Sequence, residues 1–88
     1  MTIATQNPVG VWRVRTFERD GERAIATQLY WAIGGRFGVS TAFDNAHDCF
    51  HAVREELQRN ETDPRVVVLE WGTVGSMRTV SAYPNDAC

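Results

Sequence analysis

The sequence predicts an α+β fold in which an antiparallel sheet of four to five strands carries one helix on one face. Three observations predict it: an Asp-Gly dipeptide between two alternating segments, one stretch with helical periodicity, and two further strand-like segments after it. The predicted element order is β-β-β-α-β-β. Because one helix covers only one face of such a sheet, we expect the second face to meet water or a partner.

The first hairpin is predicted to turn at Asp20 and Gly21, the dipeptide that a two-residue type I′ turn favours. Counting outward from the turn predicts these pairs: Glu18 with Arg23, Thr16 with Ile25, Val14 with Thr27 and Trp12 with Leu29. One face of the hairpin is then mainly apolar, and we expect it to face the core: Trp12, Val14, Thr16, Ile25, Thr27, Leu29 and Trp31. The other face combines arginine with aromatic residues: Arg13, Arg15, Phe17, Ala24, Ala26, Gln28 and Tyr30.

A single helix is predicted in the middle of the chain. Asp44 or Asn45 can cap its start, and we expect it to stop near Asn60. Apolar residues recur between these positions at helical spacing: Ala46, Cys49, Phe50, Val53 and Leu57. The polar residues of this stretch fall on the outer side, which is typical of an amphipathic helix packed on a sheet.

The remaining segments have strand character. Gly34 and Gly35 end the second strand, and residues 36–41 alternate, which predicts a short third strand. Residues 65–71 are apolar on both sides and favour a central strand over an edge strand. Residues 77–83 alternate again, after two glycines that mark a turn: Gly72 and Gly75.

Length and composition suit a single domain at residues 1–88, with loose ends at about 1–8 and 84–88. Hydrophobic residues make up 43% of the chain and charged residues 23%, which is typical of globular proteins. No apolar run approaches the roughly 20 residues that span a bilayer. Residues 1–10 lack the basic start and apolar stretch of a secretory signal. We therefore expect a cytoplasmic protein with no membrane partner.

Charge and cysteine content narrow the functional classes further. The net charge is −2, so nucleic-acid binding would need a local basic patch. All nine basic residues are arginine, which pairs with carboxylates and stacks on aromatic rings, although the base composition of the gene also explains this bias. Cys49 lies in the predicted helix and Cys88 is the last residue, so we expect free thiols.

Two histidines have a spacing that can bind a metal ion. His47 and His51 stand four residues apart, which places two imidazoles on one helix face. A third ligand is not evident and Cys49 falls on the core side, so we expect solvated histidines, no metal site and no cofactor. The glycine-rich residues 34–38 precede a strand-like pattern rather than a helix, so we expect a kink and not a phosphate-binding loop.

The arginine-aromatic face of the first hairpin is the best candidate for a recognition surface. Its candidate partner-binding residues are Arg13, Arg15, Phe17 and Tyr30. Arginine and tyrosine dominate interface hot spots because each buries a large area while keeping directed hydrogen bonds. The alternative is a solvated face whose arginines pair with Glu18 or Glu22.

Three functional hypotheses are compatible with these patterns. No convergent set of acid, base and nucleophile is readable, so we expect a non-catalytic protein-binding module rather than an enzyme. The alternative is a single-stranded nucleic-acid-binding domain, in which Phe17 and Tyr30 stack on bases. The third is an enzyme, or a subunit that completes one at an oligomer interface. A homodimer formed through an exposed edge or sheet face is compatible with all three.

The layout of the chain resembles that of some small phage-encoded anti-CRISPR proteins. The resemblance lies in a hairpin with Glu-Arg-Asp-Gly at its turn, one helix and a second hairpin, and covers residues 11–26, 45–59 and 65–83. The long second strand and the segment at 36–41 depart from the simplest form of that layout. Such families bind host protein complexes stoichiometrically and without catalysis. The resemblance therefore implies an inhibitor that binds a host CRISPR effector complex in the host cytoplasm.

Overall fold

The computed structural model describes residues 9–21, 23–33, 41–73 and 75–84. These residues form four strands and one helix: β1 (Val9–Glu18), β2 (Ala24–Ile33), α1 (Thr41–Arg59), β3 (Arg65–Thr73) and β4 (Ser76–Tyr83). The strands form one antiparallel sheet in the order β2-β1-β3-β4, and α1 packs on one of its faces. The predicted α+β class is confirmed, and β3 is a central strand as its apolar pattern predicts.

Some predictions fall on residues outside the described ranges. The predicted third strand at 36–41 lies outside them except for Thr41, which begins α1. The predicted kink at 34–38 also lies outside them, as do the predicted loose ends apart from Pro84. Within the described ranges the element order is β-β-α-β-β. No helix in this part of the chain is long and apolar enough to cross a membrane.

The hairpin of β1 and β2 turns at the predicted Asp-Gly dipeptide, and the Glu18 amide donates to the Arg23 carbonyl at 3.1 Å. The predicted register holds as far as the pair Phe17 and Ala24. A bulge then leaves Ile25 without a directly opposed residue, which shifts the remaining pairs by one residue. The observed pairs include Thr16 with Ala26, Val14 with Gln28 and Trp12 with Tyr30.

This shift exchanges the faces of the β2 residues beyond the bulge, because strand side chains alternate between the two sides of a sheet. The predicted core face is confirmed for β1, where Trp12, Val14 and Thr16 are buried. It is wrong for β2, where the residues predicted to be in the core are exposed: Ile25, Thr27, Leu29 and Trp31. The β2 residues that face α1 and pack against the core are Tyr30 and Ala32.

The helix α1 begins at Thr41, earlier than the cap predicted at residues 44–45. The added residues bury Ala42 and place the Phe43 ring 4.9 Å from the ring of Trp12, measured between centroids. Helix stability in proteins comes mostly from packing of the apolar side, so this contact explains why α1 extends past the local capping signal.

The main core lies between α1 and the sheet. Trp12 is completely buried at its centre, and its ring centroid lies 4.9 Å from those of Phe43 and Trp71. Strand and helix residues surround this aromatic group: Val14, Val67, Leu69, Ala46, Phe50 and Leu57. Gly10 is required by the same packing, because a Cβ atom at this position would overlap the Trp71 ring.

The connection between α1 and β3 is held by Arg65. Its Nε donates to Asp63 Oδ1 at 3.0 Å and its Nη2 donates to Asp63 Oδ2 at 2.9 Å. The hydrogen bonds from the Arg65 side chain and backbone lower the pKa of Asp63 below its usual value. Nη2 also reaches Glu56 Oε2 at 3.3 Å. These contacts lie at the surface, so they orient the start of β3 more than they stabilise the fold.

Candidate functional site

We call the sheet face turned away from α1 the opposite face. Directly opposed residues of neighbouring strands share a face, so the strand register defines its members. They include Arg13, Arg15 and Phe17 of β1; Thr27, Leu29 and Trp31 of β2; and Val66, Val68 and Glu70 of β3. The face therefore combines charged, aromatic and aliphatic side chains.

The β3 half of the opposite face is buried. Val66, Val68 and Glu70 have exposed fractions of only 0%, 5% and 5%. Phe17 packs against the two valines, and the guanidinium carbon of Arg15 lies 4.9 Å from the centroid of the Phe17 ring. The large accessible apolar side chains of this face therefore lie on its β2 half, beside two partly exposed arginines.

Two arginines share a buried carboxylate on the opposite face. Arg13 Nε donates to Glu70 Oε1 at 2.7 Å. Arg15 Nη2 donates to Glu70 Oε2 at 3.2 Å, and its Nε lies 3.4 Å from Oε1. The three side chains meet because Arg13 is directly opposite Glu70 in the β1–β3 register, with Arg15 two residues further along the same strand face.

This cluster has an excess of positive charge. Burial alone would raise the pKa of Glu70, but the hydrogen bonds and charges of Arg13 and Arg15 outweigh burial and hold the pKa below its usual value. Glu70 is therefore ionised at neutral pH, and among the described residues this single carboxylate is shared by two arginine charges. The Arg13 and Arg15 side chains remain 26% and 35% exposed, so these charges are accessible to a partner.

The β2 half of the opposite face presents large apolar side chains. Trp31 is 60% exposed and Leu29 is 48% exposed, and Leu29 lies directly opposite Arg13. Ile25, at the bulge, is 49% exposed. Full burial of one such side chain stabilises by roughly 1.5–3 kcal/mol, so leaving three of them exposed on one strand is costly unless a partner covers them.

The structure brings together three of the four residues predicted for the site. The ones that share the opposite face are Arg13, Arg15 and Phe17. The placement of Tyr30 with them is wrong, because the register shift puts Tyr30 opposite Trp12 on the face that α1 covers. Burial, followed by a hydrogen bond with Cys49, raises the pKa of Tyr30 above its usual value. Tyr30 thus packs against the core, partly buried, and does not lie on the opposite face.

The sequence prediction missed three residues of this surface: Leu29, Trp31 and Glu70. A signal for Glu70 exists, since a lone carboxylate inside an apolar central strand must find a buried partner. The counter-ion of both arginines is this residue on β3 and not Glu18 near the turn. No equivalent signal marks Leu29 and Trp31, because apolar residues occupy both alternating sets of β2 positions.

The two histidines of α1 are partly buried, so the prediction that they are solvated is wrong in part. The His47 and His51 rings meet edge to face, with centroids 4.6 Å apart, and Phe43 lies 5.5 Å beyond His47. Arg54 Nη2 lies 2.8 Å from His51 Nδ1, which must accept because a guanidinium only donates. In the described ranges, no three His, Cys, Asp or Glu side chains are grouped so as to hold a metal ion.

Comparisons with protein-family models, with curated proteins and with solved structures find no match to this chain.

Proposed function

We propose that the chain is a non-catalytic protein-binding module whose contact surface is the β2 half of the opposite face. One observation carries this proposal: Trp31 and Leu29 are about half or more exposed, two residues apart on one face of β2, and Leu29 is directly opposite Arg13 in the β1–β2 register. Tryptophan and arginine are the residue types most enriched at interface hot spots. The sheet holds them in place, so little conformational entropy is lost when a partner binds.

The charge of the site defines the chemistry of the partner. Arg13 and Arg15 share one carboxylate, and the two arginine side chains are partly exposed. A partner that offers an apolar pocket for Trp31 and a carboxylate beside it would satisfy both features. Such a partner would approach a positive part of this face in a chain whose net charge is −2, so the association rate should fall as salt increases.

The layout resemblance to anti-CRISPR proteins makes a host CRISPR effector complex the first partner to test. In this form of the proposal the chain inhibits that complex by occupying a protein surface. Binding of a purified effector complex to the immobilised chain, measured by interferometry, tests it directly. Inhibition of target cleavage in the same preparation is the functional measurement.

Two variants locate the contact surface. Trp31→Ala should weaken partner binding by about 2 kcal/mol or more, which is roughly 30-fold, because it removes a central aromatic anchor. Val80→Ala is the matched control, since Val80 is an exposed apolar residue on the other edge strand, β4, with an exposed fraction of 38%. It should leave binding unchanged. Equal affinities of the wild-type chain and Trp31→Ala would contradict the assignment of this surface.

The nucleic-acid alternative has less support. Phe17 and Tyr30, the aromatic pair predicted to stack on bases, lie on opposite faces of the sheet and cannot contact one strand together. Binding of a fluorescent single-stranded oligonucleotide at low salt, weakened by Trp31→Ala, would favour this alternative over protein binding.

A further inference from the structure

The outer edge of β2 is a second feature of this strand, separate from the side chains of the opposite face. Within the described residues β2 pairs only with β1, so half of its backbone N–H and C=O groups point away from the sheet. The strand is ten residues long and contains no charged residue and no proline. Charges and prolines are among the features by which edge strands avoid pairing with other chains.

The other edge of the sheet has such features. β4 carries Arg78, and a bulge at Val80 interrupts its pairing near the middle of the strand. The bulge of β2 lies near its start, at Ile25, and leaves residues 26–33 in regular register. The two edges are thus not equivalent, and β2 is the edge on which a further strand can pair without interruption.

We propose that β2 pairs antiparallel with β2 of a second copy of this chain, about a two-fold axis at Gln28. Side-chain alternation restricts the register, because the two sheets keep their faces aligned only if odd-numbered residues oppose odd-numbered residues. With the axis at Gln28, residues 26–30 of the two copies pair regularly, and Thr27 lies opposite Leu29 of the second copy. Trp31 then lies next to the bulge at Ile25 of the second copy.

A second copy suits this edge for three reasons. An uncharged strand paired with itself brings no like charges together. The register supplies cross-strand neighbours to the three large apolar side chains that are exposed on β2, and it places the two Gln28 amides opposite each other. The strands also match in length, and a two-fold pair closes on itself without leaving a further β2 edge free.

The pairing does not depend on the proposed function, although it extends the same surface. A two-fold axis perpendicular to the sheet keeps the faces of both copies continuous, so Leu29 and Trp31 of the two copies lie on one side of an eight-stranded sheet. Gln28 lies on the other side, opposite Val14, and is exposed. Substitutions at Gln28 therefore test the pairing without changing the contact surface proposed for a protein partner.

A charge-reversal experiment on the purified chain tests the proposal. Native mass spectrometry and light scattering should show a dimer for the wild-type chain. Gln28→Lys and Gln28→Glu should each raise the dissociation constant at least about tenfold, because like charges would face each other across the axis. An equimolar mixture of the two variants should restore a dimer that contains one copy of each. Ser76→Lys, at the exposed start of β4, is the matched control and should leave the dimer intact.

Three results would overturn the proposal: a wild-type chain that stays monomeric up to about 200 µM, a dimer that persists in Gln28→Lys, or a mixture that does not restore pairing. Circular dichroism establishes that each variant is folded. If pairing fails while Trp31→Ala still weakens partner binding, only the edge pairing is wrong. If pairing holds and Trp31→Ala binds normally, only the proposed function is wrong.

Discussion

The two faces of the sheet are stabilised in different ways. On the face that α1 covers, the buried side chains are almost all apolar, and Trp12 contacts Phe43 and Trp71 at its centre. On the opposite face, a smaller apolar cluster of Val66, Val68 and Phe17 lies beside a buried carboxylate, Glu70, which two partly exposed arginines hold. An apolar face must be covered by another element to exclude water, whereas a face built around an ion cluster can remain partly open. The difference shows why the accessible surface lies on the opposite face.

The largest expected effect comes from breaking the helix-covered face. Phe50→Ala should lower the free energy of unfolding by about 3–5 kcal/mol, because it removes a ring that is 4% exposed and leaves a cavity between α1 and the sheet. Urea denaturation measures the change. Gln58→Ala, on the exposed side of the same helix, should change stability by no more than about 0.5 kcal/mol. Similar effects of the two variants would show that α1 is not packed as described.

A somewhat smaller effect is expected from breaking the opposite face. Glu70→Gln leaves two guanidinium groups without this counter-charge and should lower the free energy of unfolding by about 2–3 kcal/mol. Breaking a fully buried ion pair costs roughly 3–5 kcal/mol, and the effect here is smaller because water reaches both arginines. Glu56→Gln makes the same change in the exposed pair with Arg65, where the Glu56 side chain is 59% exposed. It should cost less than about 1 kcal/mol. Equal costs for the two variants would show that the Glu70 cluster does not stabilise the opposite face.

The smallest expected effect is a pH dependence that Glu70 contributes on the opposite face and that the apolar residues of the helix-covered face do not. The pKa of Glu70 is lower in the folded chain than the ordinary value of 4.5. The ionised Glu70 side chain therefore contributes fully to stability above pH 4.5, and this contribution is lost as the pH falls through the pKa of the folded state. The stability difference between the wild-type chain and Glu70→Gln should therefore shrink on acidification below about pH 4.5. Phe50→Ala should keep a constant difference from the wild-type chain. A pH-independent Glu70→Gln difference would contradict the ion cluster.

Local signals predict several elements of the fold. The Asp-Gly dipeptide locates the first turn, and the apolar residues of 65–71 predict the central position of β3. The body of α1 follows from its helical periodicity, but its start does not. Asp44 offers a local cap, whereas the contact of Phe43 with Trp12, a residue far away in the sequence, extends the helix by another turn.

The candidate site is predictable only in part. Alternation along β1 correctly places Arg13, Arg15 and Phe17 on one face, because these residues stand two positions apart and β1 pairs with β3 without a register shift. The same reasoning fails on β2, where a single bulge at Ile25 reverses which side chains are exposed. No residue type in that strand marks the bulge, since small and large apolar residues are found in both alternating sets.

The sequence by itself determined the α+β class, the turn of the first hairpin, the body of the helix and the arginine-aromatic side of β1. These four features follow from patterns among residues that are close together in the chain. Only the tertiary structure decided the register of β2, the exposure of Leu29 and Trp31, and the pairing of Arg13 with Glu70 across 57 positions. These features depend on how strands fit against each other and against α1. Their energies come from long-range packing and buried charge, which no local pattern records.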